Sequence, residues 1–179
     1  MTKKPRQMLI VDGYNVLRSG SRYKDIAGPD YTDDTFNTAR ETLINDVIDF
    51  AGGEWSATIV FDGAKNRYSE GQAQTTGGVR IIFSPAGSTA DKVIERLARD
   101  ARARAVKALV VTSDATIQDT VFGGGIDRMS ANDFSWEMNA LHAQGRYEAM
   151  PPTTPKNTLA QRIDPATRTK LETLRDRKK

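Results

Sequence analysis

The chain has 179 residues and a mass of 19.7 kDa; 38% of residues are hydrophobic and 27% charged, which gives enough apolar material for one packed domain plus a short tail and argues against global disorder. There is no cysteine and a single histidine, His142, which excludes disulfide staples, thiolate zinc sites, a cysteine nucleophile and a multi-histidine metal cluster. The net charge of +3 is unevenly spread: residues 1–145 hold 17 basic and 19 acidic side chains, a net of −2, and residues 146–179 hold 9 and 4, a net of +5.

A near-neutral body therefore carries a basic tail, which suits either a polyphosphate partner or a solvated terminus. The N-terminal MTKKPRQ is basic, but the apolar run after it, Met8–Val11, is far too short for a signal or membrane span. The expectation is a cytoplasmic protein with no membrane partner.

Met8–Asp12 is a short apolar run ending in Asp-Gly and predicts a buried strand and a turn. Residues 19–32 are polar, with Gly and Pro, and predict a loop. A helix is expected over 34–51, capped by Asp33 or Asp34, with Phe36, Ala39, Leu43, Val47 and Phe50 along one face. Ala57–Phe61 is the next strand, again followed by Asp-Gly. Residues 64–78 read as a loop, and Val79–Phe83 as a third strand.

A helix over 89–105 follows, with Ile94, Leu97, Ala98, Ala101 and Ala105 inward and Arg96, Arg99, Arg102 and Arg104 on a solvated face. Ala108–Val111 predicts a fourth strand, 115–122 a short helix, and Ile126–Met129 a fifth strand. The helix expected over 131–144 turns Phe134, Met138 and Leu141 inward. Trp55 and Trp136 read as core or interface residues, and His142 as a surface residue. The Pro-containing segment 150–157 predicts a linker, and 164–179 a charged helix starting at Asp164-Pro165. The expected division is a domain over 1–148 and a linker with basic tail over 149–179. Short apolar strands alternating with amphipathic helices imply an α/β fold, three layers deep, with a mostly parallel central sheet and helices on both faces.

Asp12, Asp62 and Asp114 each fall at or just after a strand end, and Asp91 opens the helix after the third strand. In an open parallel sheet, ligands bind outside the carboxyl ends of the strands. Four acids are thus aimed at one rim, where their mutual repulsion invites a divalent cation with oxygen ligands, Mg2+ or Mn2+. Such a site can hydrolyse a phosphodiester without histidine or cysteine. Each acid also has a purely structural reading. Asp12 and Asp62 suit turns. Ser88–Asp91 and Ser130–Asp133 match capping boxes, and Asp133 is assigned that role. Asp114 suits a helix first turn.

Other chemistries lack their motifs. There is no P-loop, no G-x-S-x-G elbow and no G-x-G-x-x-G after a strand. A phosphatase with an aspartyl nucleophile would want an acid two residues after Asp12, where Tyr14 stands.

Five segments in order resemble the YacP-like NYN domains, a branch of the PIN-like ribonucleases. They are Leu9-Ile-Val-Asp-Gly-Tyr-Asn15, Val60-Phe-Asp-Gly63, Phe83-Ser-Pro-Ala-Gly-Ser-Thr-Ala-Asp91 with Glu95, Val110-Val-Thr-Ser-Asp114, and Phe122-Gly-Gly-Gly-Ile-Asp-Arg-Met-Ser-Ala131. They span about 8–145 and leave the tail unmatched. The resemblance implies a PIN-like fold and a metal-dependent endoribonuclease. It implies Asp12, Asp91 and Asp114 as metal-binding catalytic acids, Asn15 as the group orienting water or phosphate, and Asp62 as an outer member. One branch of the family acts on messenger RNA in the ribosomal A site, so the ribosome joins RNA as an expected partner. Where the family often has an acid followed by glutamine after Thr-Ser-Asp, this chain has Gln118-Asp119, and Asp119 stays outside the set.

Substrate contacts are expected from Ser113, which could instead cap a helix. Lys65 and Arg67 lie in a loop that also contains Tyr68 and could otherwise be plain solvent loop, and Tyr14 suits base stacking or packing. The competing functional reading is a non-catalytic RNA- or ribosome-binding module of the same fold. A DNA-directed flap nuclease ranks third, because the chain lacks the length for the extensions of that class.

Overall fold

The computed structural model describes residues 6–30, 32–63 and 73–149. The elements run β1 (Gln7–Asp12), α1 (Gly13–Ser19), α2 (Ser21–Ala27), α3 (Asp33–Ala51), β2 (Trp55–Phe61), β3 (Ala73–Thr76), β4 (Val79–Phe83), α4 (Ala90–Ala103), β5 (Ala108–Val111), α5 (Ala115–Val121), β6 (Ile126–Met129) and α6 (Ala131–Ala149). The strands form one sheet in the order β3-β4-β2-β1-β5-β6. All neighbours are parallel except β3 against β4.

The apolar runs show why the sheet is covered on both sides. Successive strand residues point to opposite faces. On β1, Leu9 and Val11 join a core with Val16, Leu17, Tyr23, Leu43, Val47, Phe134 and Met138, from α1, α2, α3 and α6. Ile10 between them joins a second core with Val93, Ile94, Leu97, Ala101, Ile117 and Val121, from α4 and α5. A strand apolar on both faces needs helices on both, and the chain supplies them.

From β1, chain order runs outward through β2 on one side and resumes with β5 on the other. The carboxyl ends of β1, β2 and β5 therefore bound the crevice where a doubly wound sheet binds ligands.

Several expectations need correction. Within the loop expected over 19–32, Ser21–Ala27 forms a helix, because Tyr23 and Ala27 are buried at one-turn spacing against α3. Asp12-Gly13 is a helix start instead of an isolated turn. The predicted loop over 64–78 contains β3, a fully exposed edge strand turned back onto β4 through Gly77-Gly78. Both glycines take positive φ, as a tight two-residue hairpin requires.

The cap of α3 is Thr32, which accepts from the Thr35 amide, with Asp33 and Asp34 inside the first turn. α4 ends at Ala103, so Ala105 lies beyond it, exposed and left-handed. Leu141 is 42% exposed and Trp136 is 77% exposed, so neither belongs to the core. Among the described residues no helix is long and apolar enough to cross a membrane. Lys65, Arg67, Tyr68, the linker and the charged C-terminal segment lie outside the described residues.

Candidate active site

Asp12 ends β1 and caps α1. Its Oδ1 accepts from the Asn15 amide at 3.4 Å, and its Oδ2 accepts from the Thr112 hydroxyl at 3.1 Å. Gly13 lets α1 begin hard against β2, since a Cβ there would run into the Phe61 ring. The acid is therefore set by a cap, a hydroxyl and a steric stop.

The corner after β5 is tied to the same point. Thr112 is fully buried, and its hydroxyl also accepts from the Asp114 amide at 3.1 Å. The Asn15 Oδ1 accepts from the Ser113 amide at 2.7 Å. Asn15 thus spends its carbonyl on the scaffold, while its Nδ2 has no hydrogen-bond partner among the described residues. Ser113 Oγ accepts from the Ala131 amide at 3.0 Å and ties this corner to the start of α6.

Asp114 caps α5: its Oδ1 accepts from the Thr116 amide at 2.8 Å and the Thr116 hydroxyl at 2.7 Å. Asp91 is the second residue of α4, whose cap is Thr89, accepting from the Lys92 amide. The capping box expected over Ser88–Asp91 does not form, and Asp91 faces the crevice. At Ser130–Asp133 half of the box forms: the Ser130 hydroxyl accepts from the Asp133 amide at 3.1 Å, and it also donates to the Asp133 carboxylate at 2.6 Å. Asp62 follows β2, with its Oδ1 3.3 Å from the hydroxyl of buried Ser84, which also accepts from the Gly63 amide.

These acids share one cleft of about 590 Å³, lined by Asp12, Asp62, Asp91 and Asp114 together with Tyr14, Asn15, Arg18, Ser19, Phe36 and Ala90. The Tyr14 ring packs 5.0 Å from Phe61 and 5.7 Å from Phe36, so it is both packed and cleft-facing. Ser113 is not part of the lining. Arg18, on the last turn of α1, stands in the cleft and was not among the residues expected from the sequence.

The electrostatics are those of a crowded anionic site. Burial pushes the Asp12 carboxyl up to about 6, against its hydrogen bonds from Asn15 and Thr112, and the charges of Asp91 and Asp114 push it further. Asp91 is raised by burial and then by Asp114, Asp62 and Glu95. Asp114 is lowered by its two hydrogen bonds from Thr116. Among the described residues no three acidic or histidine side chains form a ready-made metal centre. The acids converge on the cleft without closing into a cage.

A family model described as the YacP-like NYN domain matches residues 9–176, and so continues through the tail that the sequence motifs left unmatched. The protein named Uncharacterized protein YacP from Bacillus subtilis (strain 168) is 31% identical over 134 residues, 75% of this chain and 76% of its own. The crystal structure of Rae1 (YacP) from Bacillus subtilis aligns with a TM-score of 0.63 at 27% identity over 95% of each chain. A single-residue mutant of it aligns with a TM-score of 0.61 at 25% identity, over 94% of this chain and 99% of its own. The α/β architecture is thus the PIN-like one of those structures, and the protein belongs to the YacP-like NYN domain family, whose members are generally nucleases.

Proposed function

We propose that this protein is a divalent-metal-dependent endoribonuclease that hydrolyses RNA phosphodiester bonds in the cytoplasm. One observation carries the reading: four carboxylates from separate chain segments line a single cleft at the carboxyl edge of the sheet. Burying and gathering them costs free energy: the Asp12 and Asp91 carboxyls are raised first by burial and then by their acidic neighbours. Carboxylate oxygens are the donors that Mg2+ or Mn2+ prefers, so the cluster fits a hard dication in charge and donor type. Asp12, Asp91 and Asp114 would hold it, with Asp62 at the outer side.

When bound, such an ion polarises the phosphodiester and makes a water acidic enough to attack it. The chain's own residues do the positioning. Thr112 and the Asn15 amide fix Asp12, and Asn15 keeps its Nδ2 for water or a phosphate oxygen. Tyr14 offers a ring face beside the acids. Lys65 and Arg67, close after Asp62 in sequence, are assigned to phosphate contact, and Ser113 to holding the corner from which Asp114 projects. The surplus of basic residues over 146–179 supports affinity for RNA and extends the reading to messenger RNA on translating ribosomes.

The test is cleavage of labelled RNA, free and on translating ribosomes, with Mg2+ or Mn2+ and with excess EDTA. Cleavage is expected only with metal, and is expected to vanish in Asp12→Asn and Asp91→Asn while folding persists. Full activity of Asp91→Asn, or undiminished activity in EDTA, overturns the reading. A non-catalytic RNA- or ribosome-binding module is the second reading, favoured by the structural hydrogen bonds that already occupy both Asp12 oxygens. RNA binding with no metal-dependent cleavage of any tested RNA would establish it instead.

A further inference from the structure

Arg18 is a cation standing in a cleft lined by four carboxylates, yet it pairs with none of them. Among the described residues its guanidinium makes no ion pair or hydrogen bond, and it rests over the Tyr14 ring, whose centroid lies 5.9 Å from the guanidinium carbon. Its position in the last turn of α1 suits the helix dipole, but that effect does not use the guanidinium hydrogens. Five donors in a planar fork are therefore held over an aromatic ring and left unspent.

Arg18 also forms a wall of a second groove, of about 720 Å³, lined with Lys24, Asp25, Gly28 and Pro29. The two hollows share this one side chain. Lys24 is exposed and lies in the last turn of α2. The acid cleft and this groove thus meet at the guanidinium, and the groove carries a second cation, Lys24, beside Asp25. A polyanion lying across the acids meets repulsion except where cations flank the cluster. The Tyr14 and Phe36 rings line the same cleft, and aromatic walls beside the cations suit the unpaired bases of a single strand more than an acidic peptide.

We propose that Arg18 binds a backbone phosphate next to the scissile one, and that Arg18 and Lys24 together lead single-stranded RNA out of the acid cleft into the neighbouring groove. This rests on the nuclease reading above and adds the path of the substrate strand. Arg18 grips by its fork. Lys24 acts as a point charge further along the strand.

The test is binding of a fluorescein-labelled single-stranded RNA to the full chain, by anisotropy across a salt series. Every variant carries Asp91→Asn so that the probe stays intact. Arg18→Ala is expected to weaken binding roughly fivefold and to flatten the dependence of log K on log salt by about 0.7, the loss of one phosphate contact on a single strand. Arg18→Lys retains the slope. Lys24→Ala shows a loss of the same kind. Lys107→Ala, which removes an exposed cation just before β5 at the opposite end of the strand, leaves affinity and slope as they were. The proposal is overturned if Arg18→Ala binds with the parent affinity and slope, or if Lys107→Ala loses as much as Arg18→Ala. The nuclease reading fails separately: wild-type chain that never cleaves, with Arg18-dependent binding intact, removes the catalysis and leaves the strand path standing.

Discussion

Asn15 and Ser113, 98 positions apart in the chain, are joined by a 2.7 Å hydrogen bond in which the Ser113 amide donates to the Asn15 side-chain oxygen. With the Thr112 hydroxyl bridging Asp12 and the Asp114 amide, it locks the corner after β1 to the corner after β5. Asn15→Ala leaves the part-buried Ser113 amide without its acceptor. A stability loss of about 1–3 kcal/mol is expected, read from the urea midpoint, with RNA cleavage lost beyond what the unfolded fraction explains.

Thr112→Val keeps the shape of a fully buried side chain but removes the hydroxyl shared by Asp12 and Asp114. Both groups lose a partner inside the protein, which costs about 1–3 kcal/mol. Cleavage is expected to fall roughly tenfold or more through misplacement of the acids. Thr112→Ser, which retains the hydroxyl, recovers most of both in the same urea and cleavage assays.

Asp12 sets a pH dependence in metal-free protein. Its folded carboxyl titrates near 6 against 3.8 in the unfolded chain, so the folded state holds the proton more tightly. The associated stability is fully present below pH 3.8 and is lost as pH rises through about 6, on the order of 3 kcal/mol for this buried group. Asp91 shifts in the same direction, whereas the stability from Asp114 is present above pH 3.8 and lost as pH falls. Urea midpoints measured in EDTA between pH 4 and pH 7 should fall with pH, and Asp12→Asn should flatten that fall.

Adding Mg2+ or Mn2+ at pH 7 should offset the cost of holding these carboxyls ionised. The melting temperature of the wild-type chain is expected to rise with metal concentration. The rise should be absent in Asp12→Asn and reduced in Asp91→Asn. Differential scanning fluorimetry reads this without any substrate; equal rises in all three proteins would place the ion elsewhere.

Asp46 supports the scaffold from a distance. It is 1% exposed and accepts from Arg22 Nε at 2.7 Å and from the Tyr23 hydroxyl at 2.9 Å, while Arg22 Nη1 reaches Asn139 at 2.8 Å. The network binds α2 to α3 and α6. Asp46→Ala leaves a partly buried guanidinium and a buried phenol without their acceptor, and should destabilise the fold by about 3–5 kcal/mol. Chemical denaturation measures the loss.

The parts of this molecule legible in its sequence are those that repeat a local pattern. Four strands are short apolar runs, and α3 and α4 carry apolar stripes at helical spacing. β3 escaped because Ala73-Gln-Thr-Thr76 is exposed on an edge and has no apolar alternation; only Gly77-Gly78 before Val79 marked a hairpin. α2 escaped because Gly28 and Pro29 suggested a loop, although Tyr23, Ile26 and Ala27 already had helical spacing. At the site, the strand-end acids are legible from chain order alone. The bonds that hold their corners together, Thr112 to Asp12 and Ser113 to Asn15, are not, because they link residues about a hundred positions apart. Nor does a sequence show that Arg18 is unspent, since pairing is a property of the fold.

Asp12 ends β1 and Asp114 stands at the corner after the neighbouring strand β5, and β1 is hydrogen-bonded on both of its sides. Amides in such an interior strand exchange with solvent only when the whole domain opens. The end of β1 that carries Asp12 therefore melts with the sheet. In a partly denatured sample, residual turnover would count surviving molecules and would not report a population of weakened enzymes.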